Sequence, residues 1–200
     1  MRRNLLSAAL LLFASAPLAA QSTGTPVFHA PYRVFDRYEI GGNVSDAGNI
    51  AIEGFYGFSG GKPAKWDFAL RGGVLDPGGD GNAVLLLGVD ARYRVIDQTE
   101  DFPLDGALIT GVGAQLVSDG SRLLIPIGIS LGRRVTFEGS KVSLVPYAEP
   151  VIVPYFGDNS DVLVALGLGA DLRINRRFEV RLGIGIGDIE NFSLGFSIAR

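Results

Sequence analysis

Along most of the chain, apolar side chains alternate with small or charged ones at every second position. The apolar positions of residues 178–187 are Phe178, Val180, Leu182, Ile184 and Ile186, and the positions between them are Glu179, Arg181, Gly183, Gly185 and Gly187. A period of two places successive side chains on opposite faces of a β-strand, whereas helical spacing fits none of these segments. The pattern therefore predicts strands.

Ten segments share this alternation and are separated by short turns. They are residues 38–44, 50–58, 66–74, 83–95, 108–116, 123–132, 141–154, 161–174, 178–187 and 192–199. The turns are rich in Asp, Asn, Gly and Pro, which supply hairpin geometry, and the longest link, 97–103, is too short for a crossover helix. The sequence predicts an all-β, antiparallel up-and-down barrel of ten strands, or of eight if the two N-terminal segments lie outside the wall. Segment 141–154 is ambiguous, because it has apolar residues on both parities and Pro146, Pro150 and Pro154 on one of them.

The two faces of the predicted strands differ in an informative way. One face carries large aliphatic residues, and the other carries mainly Gly, Ala and Ser with a few charges of both signs, without the long polar residues of a solvated sheet. Small or paired side chains suit the lumen of a narrow barrel, whose aliphatic residues then face outward in numbers that water does not tolerate. A ten-residue strand tilted by 45° rises roughly 23 Å, close to the ~25 Å apolar band of membrane barrels. The pattern favours a transmembrane barrel.

Aromatic residues cluster near the predicted strand ends. This set comprises Phe58, Trp66, Tyr93, Phe102, Phe137, Tyr155, Phe156, Phe178 and Phe192. Aromatic girdles at both membrane interfaces are typical of barrels that cross a bilayer.

The first twenty residues have the layout of a secretory signal. Basic Met1-Arg2-Arg3-Asn4 precedes an apolar run from Leu5 to Phe13 and small residues up to Ala20. We therefore predict a signal peptide at 1–20, an N-terminal extension at 21–37 and a barrel domain at 38–200. Since the residues around Arg2-Arg3 lack the rest of the twin-arginine motif, general secretion is the favoured route.

Composition narrows the possible functions. The 200 residues include 28 glycines, no cysteine and one histidine, so thiolate and multi-histidine metal sites are excluded, and neither a metal nor a cofactor is expected. Without the signal, 16 basic side chains stand against 21 acidic ones, which argues against nucleic acid as a partner. Histidine-based catalysis would depend on His29, which precedes the first strand and is expected to be an exposed side chain. The sequence therefore predicts that the protein is not an enzyme.

The chain resembles the small outer-membrane β-barrels of Gram-negative bacteria, both OmpA-like and porin-like. The resemblance rests on the signal peptide, on strands that alternate with glycine at 166–171 and 184–187, and on the closing strand at 192–198. It implies the cell outer membrane as location, with outer-membrane lipid and the barrel-assembly machinery as partners and no known protein partner. Such chains usually end on an aromatic residue that this machinery reads, whereas this one ends Ile198-Ala199-Arg200.

Charged residues on the inward parity are the candidate functional set. They are Glu53, Asp67, Arg71, Asp90, Arg92, Arg94, Glu149, Asp171, Arg173, Glu179 and Arg181. Unpaired charges are costly in a lumen of low dielectric, so these groups are expected to pair across strands. Two interpretations remain open: a closed, salt-bridged plug in a structural barrel, or a polar pathway in a narrow porin-like channel.

A soluble periplasmic or secreted barrel is the alternative from another class of function. Such a lipocalin-like protein would bind an apolar ligand inside and expose its charged residues outside. The parity of glycines and aliphatic residues favours the membrane barrel over this alternative.

Overall fold

The computed structural model describes residues 28–31, 38–46, 50–60, 65–76, 78–79, 81–118, 120–157 and 159–199, and the predicted signal peptide lies outside them. Its strands are β1 (Tyr38–Asp46), β2 (Ile50–Ser59), β3 (Trp66–Asp76), β4 (Val84–Ile96), β5 (Asp105–Val117), β6 (Gly120–Leu124), β7 (Ile127–Gly132), β8 (Val135–Thr136), β9 (Ser143–Phe156), β10 (Asp161–Arg173), β11 (Phe178–Gly187) and β12 (Asn191–Ala199). No helix among the described residues is long and apolar enough to cross a membrane.

The strands form one closed antiparallel barrel. Each wall strand pairs with its neighbour in sequence, and β12 pairs with β1, so that Ile40 lies opposite Ile198 and the sheet has no free edge. β6 and β7 lie between β5 and β9, and β8 continues the same path along β9, so that the three are pieces of one wall strand. Among the described residues the wall therefore has ten strands in up-and-down order, which confirms the count of ten, and the count of eight is wrong.

A proline explains the break between β6 and β7 in the interrupted wall strand. Pro126, between β6 and β7, has no N–H to donate to a ladder. The chain is held there by two other bonds: Gly111 N donates to Pro126 O at 3.1 Å, and Ile125 N donates to Pro154 O at 2.9 Å. The ambiguous segment 141–154 is strand β9, in which Pro146 and Pro150 face outward and are exposed.

The outward face carries the large apolar side chains, as the alternation predicts. Ile40 is 62% exposed, Val164 56% and Leu182 45%, and every wall strand contributes residues of this kind. Not every glycine lines the lumen, as the alternation predicts for most of them. Gly42, Gly54 and Gly72 lie opposite one another on β1, β2 and β3 and face outward.

Inward glycines lie opposite large inward side chains on the neighbouring strand. The register pairs Glu53 with Gly73, Phe55 with Gly41, Arg71 with Gly88, Asp90 with Gly111, Tyr147 with Gly169, Glu149 with Gly167, and Arg181 with Gly195. Six of these glycines leave space next to their partner side chain, and the space at Gly167 is filled by Phe28. This is how a narrow barrel accommodates bulky inward groups.

This packing predicts opposite outcomes for two glycine substitutions. A Cβ at Gly169 would lie 2.3 Å from the Tyr147 ring and 2.6 Å from the Leu182 carbonyl oxygen, whereas one at outward Gly72 meets nothing closer than 3.7 Å. We expect Gly169→Ala to destabilise the folded barrel by about 1–3 kcal/mol through overpacking, and Gly72→Ala to leave stability equal or higher. Urea unfolding of both variants in lipid vesicles measures the difference, and equal stabilities would contradict the packing argument.

Candidate functional site in the barrel lumen

The lumen has two rims, which are named here by the chain segments at each. The terminal rim carries the start of β1 and the end of β12, and the opposite rim carries the ends of β1, β3, β5, β9 and β11. Buried apolar side chains fill much of the lumen. One cluster comprises Ala51, Leu75, Val84 and Leu86 near the opposite rim. The other extends from the opposite rim towards the start of β9 and comprises Phe28, Ala30, Leu124, Val145, Tyr147, Val151, Val153, Leu163, Ala165 and Ile189. Towards the opposite rim the two clusters form an apolar layer.

Below that layer, Arg71 forms the first cluster of buried charges. Its Nη2 donates to Asp90 Oδ1 at 3.0 Å, and its Nε lies 2.5 Å from Asp90 Oδ2. Its Nη1 donates to Glu53 Oε1 at 3.4 Å. All three side chains are almost fully buried. One arginine thus joins carboxylates from β2 and β4 through charge-assisted bonds.

A second cluster surrounds Arg181 on β11. Its Nη2 donates to Glu39 Oε2 at 2.6 Å, and its Nε donates to Glu179 Oε1 at 2.7 Å. Arg173 Nη2 lies 3.8 Å from Glu179 Oε2. The Arg181 guanidinium also lies 5.1 Å from the centre of the Phe55 ring, a distance typical of cation–π contacts. This cluster ties β1, β2, β10 and β11 together across the barrel closure.

The remaining predicted charges have different surroundings. Arg92 Nε lies 3.4 Å from Asp67 Oδ2. Asp171 is buried on β10 opposite Arg181, and Glu149 is buried on β9. Arg94 lies at the terminal rim, where it forms a 3.5 Å ion pair with Asp97 and its side chain is 40% exposed. The structure thus brings ten of the eleven predicted residues into the lumen and leaves Arg94 at its mouth.

Glu39 and His29 are lumen residues that the predicted set of charges does not include. Glu39 shares the inward parity of β1, but the alternation of that segment is weak. His29 was expected to be exposed, and this expectation is wrong: its side chain is only 11% exposed, and its Nε2 lies 3.7 Å from Asp90 Oδ2. No periodicity marks residues 28–31, so the sequence pattern carries no signal for their position.

Residues 28–31, called here the lumen segment, occupy the space inside the wall. Phe28, Ala30 and Pro31 are at most 3% exposed. His29 N donates to Glu149 Oε2 at 2.7 Å, so that this carboxylate is satisfied by a backbone donor. Since a buried carboxylate without a partner is costly, the segment completes the polar network as well as filling space.

Little free volume remains around the lumen segment. A cavity of about 20 Å³ lies between Phe28, Phe55, Arg71, Tyr147 and Arg181, which is enough for about one water molecule. A separate open basin of about 900 Å³ lies at the terminal rim, lined by residues that include Arg94, Asp97, Glu100, Arg133 and Arg134. Among the described residues, no group of three or more His, Asp or Glu side chains is arranged to hold a metal ion.

Comparisons with known proteins give a structural likeness and no family. No protein-family model matches the chain, and no curated protein matches it either. Among solved structures, the chain is similar to the β domain of the Bordetella autotransporter BrkA, at 13% sequence identity and a TM-score of 0.47. The match covers 82% of this chain and 98% of that domain.

Proposed function

We propose that the protein is an integral barrel of the bacterial outer membrane with a closed, structural lumen. The observation that carries the proposal is the outer surface, where large apolar side chains are exposed on all ten wall strands. A water-soluble protein rarely exposes such a continuous apolar surface. A closed barrel is also one of the two architectures that satisfy every backbone group within lipid.

Outward aromatic residues support a membrane location. Tyr38, Tyr56, Phe58, Phe68, Trp66 and Tyr93 form a chain of ring contacts across β1 to β4, with neighbouring ring centres 4.4–6.2 Å apart. The row lies near the terminal rim, at the level where an interfacial girdle would meet lipid headgroups.

The filled lumen favours a structural barrel over a porin-like channel. Salt-bridged clusters, the lumen segment and the apolar layer occupy the interior, and the cavity between Phe28, Phe55, Arg71, Tyr147 and Arg181 has a volume of about 20 Å³, room for about one water molecule. The same filling disfavours a lipocalin-like carrier, which needs an apolar cavity inside and polar residues outside. Outer-membrane lipid and the barrel-assembly machinery are the partners that this proposal requires.

The proposal includes no catalytic activity. His29 lies beside Asp90 in the lumen, but the Ser130 hydroxyl donates to the His29 carbonyl oxygen. This hydroxyl is therefore engaged with the backbone of the histidine, whereas a serine nucleophile would face an imidazole nitrogen.

Fractionation and conductance test the proposal directly. We expect the full-length protein in the outer-membrane fraction, extractable only by detergent, with unboiled and boiled samples migrating differently on a denaturing gel. In planar bilayers we expect no stable channel steps, because the lumen is closed. Recovery of the protein in the periplasm without detergent would overturn the membrane location, and sustained channel steps would favour the porin-like alternative.

A further inference from the structure

The wall holds the lumen segment mainly through its main chain. Tyr147 Oη donates to the Phe28 carbonyl oxygen at 3.0 Å, and the His29 amide donates to Glu149 at 2.7 Å. Both wall groups come from β9 and are buried.

Two further carbonyl groups of the segment are bound from other strands. The Ser130 hydroxyl on β7 donates to the His29 carbonyl oxygen, and Arg92 Nη1 on β4 donates to that of Ala30. Four main-chain groups of Phe28, His29 and Ala30 are thus bonded to side chains of three strands. Recognition through main-chain groups depends only weakly on the side chains that the peptide carries.

Two side chains of the segment also make specific contacts: His29 Nε2 lies 3.7 Å from Asp90 Oδ2, and Phe28 is the aromatic anchor. Its ring packs where Gly167 and Gly185 leave the wall without side chains, because a Cβ would lie 2.2 Å from the ring at Gly167 and 2.9 Å from it at Gly185. Phe28 itself is 3% exposed. A pocket between two glycines accepts a flat aromatic ring and gives a small side chain little to contact.

We propose that the lumen is a peptide-binding site for a short segment with an aromatic anchor, occupied in the intact protein by residues 28–31 of its own chain. A separate peptide of the same chemistry binds there once the covalent link to β1 is cut. The peptide site rests on the filled barrel of the proposed function but does not require that the barrel lies in a membrane. The peptide site and the membrane location can therefore be disproved separately.

A cleavable full-length chain tests this inference. A single protease site is introduced within residues 32–37, and the protein is folded in detergent micelles and then cut. We expect the N-terminal fragment to remain with the barrel through gel filtration. After the fragment is washed off in mild denaturant, with gel mobility showing that the barrel is still folded, a labelled synthetic peptide of residues 21–37 is expected to rebind saturably.

A variant peptide and variants of the wall distinguish specific peptide binding from simple trapping of the fragment inside the barrel. The Phe28→Ala peptide should bind at least about tenfold more weakly, since it loses a buried aromatic side chain, and it leaves the folding of the barrel untouched. In the wall, Tyr147→Phe should weaken peptide binding by about 3–10-fold, the value of one hydrogen bond. Tyr155→Phe is the matched control on the same strand and should bind normally.

The outcomes are distinct. Loss of the fragment on cutting, failure of the peptide to rebind, or equal affinity of the wild-type and Phe28→Ala peptides would each overturn the peptide site. If that happened while the protein still fractionated with the outer membrane, the proposed function would stand. If instead the fragment stayed bound while the barrel was recovered from the soluble periplasm, the peptide site would stand and the membrane location would be overturned.

Discussion

Replacing Arg71 by methionine is expected to destabilise the barrel by about 3–5 kcal/mol, because it leaves buried carboxylates without their cation. Arg71 contacts both Asp90 and Glu53, and its side chain is 2% exposed. Because methionine keeps much of the aliphatic volume of arginine, the decrease in the free energy of unfolding measures the missing charge more than a cavity. Urea unfolding in lipid vesicles, followed by tryptophan fluorescence and gel mobility, gives the free energy of unfolding.

Two controls sharpen this result. Arg94→Met removes an arginine whose 3.5 Å pair with Asp97 lies at the solvated rim, and it should cost less than about 1 kcal/mol. The triple variant Arg71→Met, Asp90→Asn and Glu53→Gln removes the whole charge cluster and should recover much of the stability lost in Arg71→Met. If Arg71→Met were no more harmful than Arg94→Met, the buried cluster would not hold the wall together.

The barrel itself could be predicted from the sequence because its strands are encoded by a periodic alternation of apolar with small or charged residues. A period of two identifies the strands at 178–187 and 192–199 without any tertiary knowledge, and the short links leave only antiparallel neighbours. The break at Pro126 was not predicted, although proline cannot donate to a ladder. The alternation alone does not show whether a neighbouring strand will bond the chain next to the proline, as the Pro154 carbonyl oxygen does here by accepting from Ile125 N.

The contents of the lumen were predictable only in part. Charges such as Asp90 and Arg181 lie on the inward parity, so their pairing follows from the cost of burying them. The lumen segment has no such signature, because Phe28 and His29 lie outside every strand. Their position depends on the space opposite glycines such as Gly167, and that space exists only once the strands are in register.

This dependence gives glycine a second role beyond its small size. An inward glycine such as Gly169 leaves room for a large side chain on the neighbouring strand. The same register therefore specifies both the pairing of the wall strands and the side chains that fill the lumen. A one-residue slip would place Glu149 opposite a leucine and send apolar residues inward. The filled lumen therefore stabilises one register of the closed barrel against others.

Replacing Leu182 by arginine is expected to destabilise the protein in lipid vesicles by about 2–4 kcal/mol. Leu182 lies near the middle of β11, faces outward and is 45% exposed. An arginine there would sit at the bilayer midplane. Ile174 is 40% exposed and lies beyond the end of β10 at the terminal rim, so Ile174→Arg should cost only about 0–1 kcal/mol.

The depth dependence decides between lipid and water around the barrel. In water, replacing an exposed leucine or isoleucine by arginine changes stability by less than about 0.5 kcal/mol, and this holds at either position. A soluble barrel would therefore tolerate Leu182→Arg and Ile174→Arg equally, and both variants would improve its solubility. A difference of at least about 1–2 kcal/mol between the two, measured by urea unfolding in vesicles, is what a lipid-facing wall requires. Equal values would remove the main support for a membrane location, because they would show that the apolar outer surface is not immersed in lipid.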